Sequence, residues 1–418
     1  MKLRVLLSLS LLLFVIEAQA ASKPSVADAE QFMNQAQARL NDIEVKAARA
    51  SWVQENFITD DTEALSADGQ DQLTAATTEL IEQAKRFDGL QLPPELARKF
   101  LLLRLSLTAP APKDPALRKE MTQIGASLDA DYGKGKYCRQ PDDCLDITAI
   151  EKIMGESRDP SELKDLWLGW HKVGAPMRQR YGRFVQLSNQ GAQELGFKDT
   201  GALWRAGYDM PPDQFSAEVE RLWQQVRPLY LSLHTYVRAR LVQKYGPQTV
   251  PPDGPIPAHL LGNPWAQEWG NVFPILGLPE NSSGYDLTQL LQAQHLDAKG
   301  MVRYGEGFYK SLGFAPLPET FWVRSLLTKP RDRDVVCHAS AWDIDNFDDL
   351  RVKMCIQIRD VDFVTIHHEL GHNMYQRAYE NQPFLFKNGA NDGFHEAIGD
   401  TIAPVSYTHL TLPTILRV

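Results

Sequence analysis

His368-Glu369-Leu370-Gly371-His372 is the stretch whose residue types and spacing can do chemistry. On a helix, positions i and i+4 share a face one turn apart, so both imidazoles can close on a single metal ion. Such a pair suits zinc, and a glutamate directly after the first histidine can take a proton from water at that ion. Two histidines leave a tetrahedral site one protein ligand short if a position stays open for water. Downstream, Pro383 and Asn388-Gly389 turn the chain, and residues 393–403 are expected to return as an antiparallel helix. Glu396 and Asp400 share a face of that helix by their spacing. Glu396 is the expected third ligand, and Asp400 the group behind a zinc histidine that holds its tautomer. His395 lies about 100° round the helix from Glu396 and is expected to be structural. His367 projects off the metal face and is expected to pack or to lie at the surface.

Several elements must position this motif. Between Asp334 and Asp360 the pattern alternates, which predicts short strands over 335–342 and 352–358 joined by the polar stretch 343–350. A hairpin beside a metal helix can offer an edge to an extended peptide, with His338 to Ala341 as the candidate edge. Helical spacing predicts helices over 26–50, 62–87, 94–105, 163–170, 177–195 and 214–245, with mostly helical chain again over 287–312. Proline and glycine make 247–263 a long loop, a length more often functional than idle. Trp265 and Trp269, four apart, read as core-packing residues of a helix; by spacing alone Gln267 between them is no strong ligand candidate.

The chain has 418 residues, a formal charge of -9 and no basic block, which argues against nucleic-acid partners and anionic membranes. Lys2 and Arg4, an apolar run over 6–16 and Ala18-Gln19-Ala20 describe a cleavable secretory signal over 1–20, and no later apolar stretch is long enough for a stable membrane span. An exported chain makes disulfides the expectation for Cys138, Cys144, Cys337 and Cys355, and spacing favours the local pairs Cys138–Cys144 and Cys337–Cys355.

Three runs closely resemble angiotensin-converting enzyme and its bacterial relatives: Cys337-His338-Ala339-Ser340-Ala341-Trp342, the motif beginning at His367, and Gly389 to Asp400 with Phe394-His395-Glu396-Ala397-Ile398-Gly399-Asp400 at its end. Pro255 to Asn263, Trp265-Ala266-Gln267, Trp269 and the cysteine pairs extend the resemblance over most of the chain after residue 20. It implies an all-α, two-lobed zinc peptidase with a small antiparallel hairpin next to the active site and N-terminal helices as a lid. The implied activity is peptidyl-dipeptidase, releasing dipeptides from the C-termini of oligopeptide substrates. By matching position, His368, His372 and Glu396 would bind zinc, Glu369 would activate water, Gln267 would hold the substrate carboxylate, and His338 with the Ala339 backbone would align the peptide. Chloride is an implied activator as well, although His171 stands where many relatives carry an arginine.

The resemblance is expected to cover 21–404 and to stop there. Pro404 is expected to interrupt the helix carrying Glu396, and 405–418 to be a foreign or frame-shifted tail. On that expectation the chain as written holds zinc, base and part of the substrate groove, lacks the family's C-terminal contributions, leaves apolar helix faces uncovered, and is expected to be unstable and nearly inactive. Another zinc oligopeptidase, a carboxypeptidase or a catalytically incompetent zinc-binding fragment are the alternatives the zinc motif allows.

Overall fold

Ser25 starts the first helix by a reciprocal cap: its hydroxyl accepts the Asp28 N–H at 3.2 Å while the Asp28 carboxylate accepts the Ser25 N–H at 2.8 Å. In the computed structural model, residues 24–277 and 286–411 are described. The expected leader over 1–20 and residues 412–418 of the expected tail lie outside them.

The helices α1 (Val26–Asn56), α2 (Asp60–Ala84) and α3 (Pro94–Leu105) share a core in which Phe32, Met33, Leu40, Leu80 and Leu103 are buried. Next come α4 (Pro115–Lys134), the strands β1 (Lys136–Gln140) and β2 (Asp143–Asp146), α5 (Ile147–Glu156), α6 (Pro160–Gly174), α7 (Arg178–Glu194), α8 (Thr200–Ala206) and α9 (Pro212–Tyr245). Cys138 and Cys144 stand opposite each other in the β1–β2 ladder and are disulfide-bonded. A second core joins Ile150, Leu166, Trp170, Val237 and Leu241 with the loop residues Val250, Leu260 and Val272. Along α9 only Val237 and Leu241 are buried, whereas Leu222, Trp223, Val226 and Leu229 are exposed, so the helix presents uncovered apolar surface.

The third core positions the metal motif. It is built from α10 (Leu287–Ala293), α11 (Ala298–Ser311), α12 (Glu319–Arg324), the strands β3 (Ser340–Asp343) and β4 (Leu350–Lys353), and α13 (Asp360–Ala378). Phe363, Ile366, Leu370 and Met374 recur at helical spacing and bury the inner face of α13 against Met301, Val302, Tyr309, Leu350 and Val352. The expected hairpin exists with shorter strands, Ser340 pairing Lys353 and Asp343 pairing Leu350, and the Cys337–Cys355 disulfide closes its open end. Its far side is occupied, because Leu326 bridges Lys353 and Met354 N donates to Leu326 O at 2.7 Å.

The return helix α14 (Asp392–Thr411) begins where expected but does not break at Pro404. An interior proline removes one helical hydrogen bond at roughly 3 kcal/mol, and it need not end the helix when the residues on both sides stay helical. The same happens in α9 at Pro228. The fold is mostly helical with small antiparallel hairpins, as the all-α expectation requires. Among the described residues no helix is long and apolar enough to cross a membrane.

Candidate metal centre

The crossing of α13 and α14 brings the ligands together, and glycines permit it. A Cβ on Gly371 would stand 3.1 Å from the Gly399 Cα, and one on Gly399 would stand 2.7 Å from His368 Nδ1. With hydrogen at both positions the helices approach closely enough for Glu396 to lie over the imidazoles. His368 Nε2 and His372 Nε2 face each other at 3.0 Å. Glu396 Oε2 lies 3.3 Å from the first, and Oε1 3.7 Å from the second. One ligand atom from each of the three residues falls within 4.8 Å of the others.

This donor set fits zinc: two imidazoles and a carboxylate around one point, with Glu396 open to solvent on the remaining side. Burial, helped by the neighbouring His368 and His395, lowers the His372 pKa to about 4, so its imidazole is in the neutral form that ligates. Asp400 Oδ1 accepts from His368 Nδ1 at 3.0 Å, which leaves His368 Nε2 free for a metal.

Glu369 is buried at 6% exposure on the side of α13 facing the hairpin. Burial pushes its carboxyl up to about 7; His368 and Lys353 pull it down, Glu396 raises it further, and the Ala341 backbone N–H it accepts also lowers it. Asn373, fully buried one turn on, donates to Trp342 O at 3.4 Å and to Gln376 Oε1 at 2.9 Å, tying α13 to the same strand. No sequence signal marks Asn373, a polar residue among the polar neighbours His372, Glu369 and Gln376 on α13.

Other expectations fare differently. Of the two places expected for His367, it takes the packed one: its Nδ1 bonds Phe363 O at 2.8 Å, its carbonyl accepts the Tyr309 hydroxyl at 2.7 Å, and its ring packs on Phe308 and Phe363. His395 touches the site, its Nδ1 being 2.6 Å from His372 Nδ1. Ala339 packs on the third core just before β3. His338 keeps an exposed edge beside the Lys353–Glu55 pair; surrounding protein and the Lys353 ammonium hold its imidazole below the ordinary histidine range.

The helix expected for Trp265 to Trp269 is absent. Asn263 Oδ1 accepts the N–H groups of Trp265 at 2.9 Å and Ala266 at 2.7 Å, and Ala266 takes a φ of 58°, so the side-chain turn replaces the helical ladder. Trp265 is exposed and Trp269 packs on Tyr230 and His234. Gln267 is exposed on this turn, which packs on the second core and not on the core that carries α13. His171 is stacked on Trp167, with its Nδ1 2.7 Å from the Trp167 carbonyl oxygen.

A mostly helical body carrying a His-His-Glu triad, with a buried glutamate between the histidines, is an arrangement that can hold zinc beside a proton acceptor. Residues 23–416 match the family described as Peptidase_M2: Angiotensin-converting enzyme. The chain belongs to the angiotensin-converting enzyme family. It is 37% identical over 361 residues to angiotensin-converting enzyme from Theromyzon tessulatum, an alignment covering 85% of this chain and 58% of that protein. Against the same-named protein from Oryctolagus cuniculus it is 38% identical over 371 residues, covering 86% and 28%, and against that from Bos taurus 41% over 299 residues, covering 70% and 23%. The chain thus spans at most 58% of the length of these relatives, none of which is bacterial.

Proposed function

We propose that this chain carries the zinc-and-base part of a peptidyl-dipeptidase that removes dipeptides from the C-termini of oligopeptides. The observation that carries the reading is the convergence of His368, His372 and Glu396 beside a buried Glu369 whose carboxylate is held by a strand-edge N–H. Zinc held by His368, His372 and Glu396 would supply positive charge that acidifies water and polarises a carbonyl. Glu369 takes the proton from the attacking water and returns it to the departing amine. With one side of the hairpin occupied by the Leu326 segment, the β3 side is left to face Glu369, and an extended peptide there would run along His338 and Ala339 as an added strand. Gln267 is assigned to the substrate carboxylate on the resemblance alone.

The leader-like residues 1–20 and the two disulfides support an exported protein, periplasmic or secreted. Chloride activation is proposed from the resemblance, and turnover in chloride-free buffer with chloride added back tests it. The central experiment incubates the purified, zinc-loaded chain with an oligopeptide bearing a free C-terminus and identifies products by mass spectrometry, with and without chelator. Dipeptide release abolished by chelator is expected. Release of single residues, or zinc-independent cleavage, overturns the reading.

A further inference from the structure

The two histidines of the triad are backed by different chemistry. Asp400 stands behind His368, but the group behind His372 is another imidazole, with His372 Nδ1 and His395 Nδ1 2.6 Å apart. At that distance two ring nitrogens share a single proton, one donating and one accepting. His372 Nε2 is the atom turned toward His368 Nε2 and Glu396, so it must present a lone pair to a metal. The proton of His372 is therefore on Nδ1, and His395 Nδ1 accepts it. His395 must then carry its own proton on Nε2, which lies 3.4 Å from the Tyr379 hydroxyl oxygen. The bonds run in one direction: His372 donates to His395, and His395 donates to Tyr379.

The His395 ring is held for this task. It packs on Tyr375 of α13 at 4.9 Å between centroids and on Tyr379, the residue just past the end of α13, at 6.4 Å. On its other side a Cβ at Gly389 would stand 2.8 Å from its Cδ2, so the ring occupies the space that this glycine leaves open. Imidazole is also the acceptor that suits the place, because a carboxylate there would set a third negative group beside Glu396 and Asp400.

We propose that His395 is a positioning residue for the metal centre, fixing His372 in its Nδ1–H tautomer, with Tyr379 fixing His395 in turn. The inference rests on the triad being a zinc site. It is tested with the full 418-residue chain by measuring the zinc dissociation constant in competition with a chromophoric chelator, alongside thermal unfolding of the metal-free form. His395→Ala is expected to weaken zinc binding about 10- to 100-fold, the range for loss of a group behind a metal ligand. His395→Gln, whose amide oxygen accepts the same proton, is expected to restore most of the affinity, and Tyr379→Phe to weaken it by a smaller factor. Metal-free unfolding midpoints should stay close to that of the parent. If His395→Ala does not fold, the Gln and Phe variants decide. Parental zinc affinity in His395→Ala or Tyr379→Phe, or His395→Gln no tighter than His395→Ala, overturns the proposal. A parent chain that binds no zinc overturns the reading of the triad itself.

Discussion

Lys353 on β4 and Glu55 near the end of α1 form an ion pair at 2.5 Å in which the lysine side chain is only 2% exposed and the glutamate 20%. The pair joins the hairpin that holds Glu369 to the first helix, beside a backbone bond from Val336 N to Glu55 O at 2.8 Å. Removing one partner of a buried pair strands the other charge, at a cost of about 3–5 kcal/mol when that charge is sealed from water. Glu55→Leu removes the ion-pair partner of the sealed ammonium, which keeps only the more distant attraction of Asp129 and Glu369, whereas Lys353→Met strands a carboxylate with some access to solvent. Glu55→Leu is therefore expected to destabilise more than Lys353→Met in urea titrations. Equal losses, or the reverse order, would show that burial does not set the cost here.

Glu369→Gln keeps the size of the side chain and removes the proton acceptor. Turnover of an oligopeptide is expected to fall by on the order of 10²–10⁴ while zinc content is unchanged. A fall in bound zinc equal to the fall in turnover would assign Glu369 to metal retention.

Gly399→Ala places a methyl group against the His368 ring, 2.7 Å from Nδ1 and 2.9 Å from Cε1. Neither ring nor helix can yield without moving the ligand, so a stability loss of about 1–3 kcal/mol, typical of overpacking, should come with weaker zinc binding. Gly174→Ala, where the added carbon meets nothing within 4 Å, serves as the control. Unchanged zinc affinity in Gly399→Ala would show that the helices separate without disturbing the triad.

Glu44 on α1 has its pKa raised from 4.5 to about 7, first by burial and then by Asp343, with the Asn346 side chain opposing. Because the folded value lies above the unfolded one, the folded state binds the extra proton between these limits, and stability from this group falls as pH rises from about 4.5 to about 7. Glu44→Gln should flatten that decline and be more stable than the parent at pH 8. Urea midpoints across the interval measure it; parallel curves for parent and variant would place the titration elsewhere.

Much of the centre is legible in sequence because it is local. Helical spacing alone puts His368 and His372 on one face, and Glu396 and Asp400 on another. The hairpin is visible in alternation, though its strands are shorter because Val336 N donates to Glu55 O on α1, and Met354 N and Ile356 N donate to Leu326 O and Leu327 O, instead of continuing the ladder across the hairpin. The helix α4 went unseen although Asp114-Pro115 carries its start signal, with the Asp114 carboxylate accepting the N–H groups of Ala116 at 2.9 Å and Leu117 at 3.0 Å. Its glycines at 125 and 133 dilute the helical pattern. After Asn263 the opposite holds: tryptophans at helical spacing mask an asparagine turn.

The amino-acid sequence by itself determined which residues can bind metal, which glutamate can act as base, and the family to which the chain belongs, since each depends on residue type and on spacing within one helix or one run. Only the tertiary structure decided that Gly371 and Gly399 let the two helices touch, that His395 stands behind His372, that Ala341 holds Glu369 and that Lys353 anchors the hairpin to α1. These relations join residues far apart in the chain. They follow from the angle and separation at which packed helices meet, which periodicity within one element does not encode.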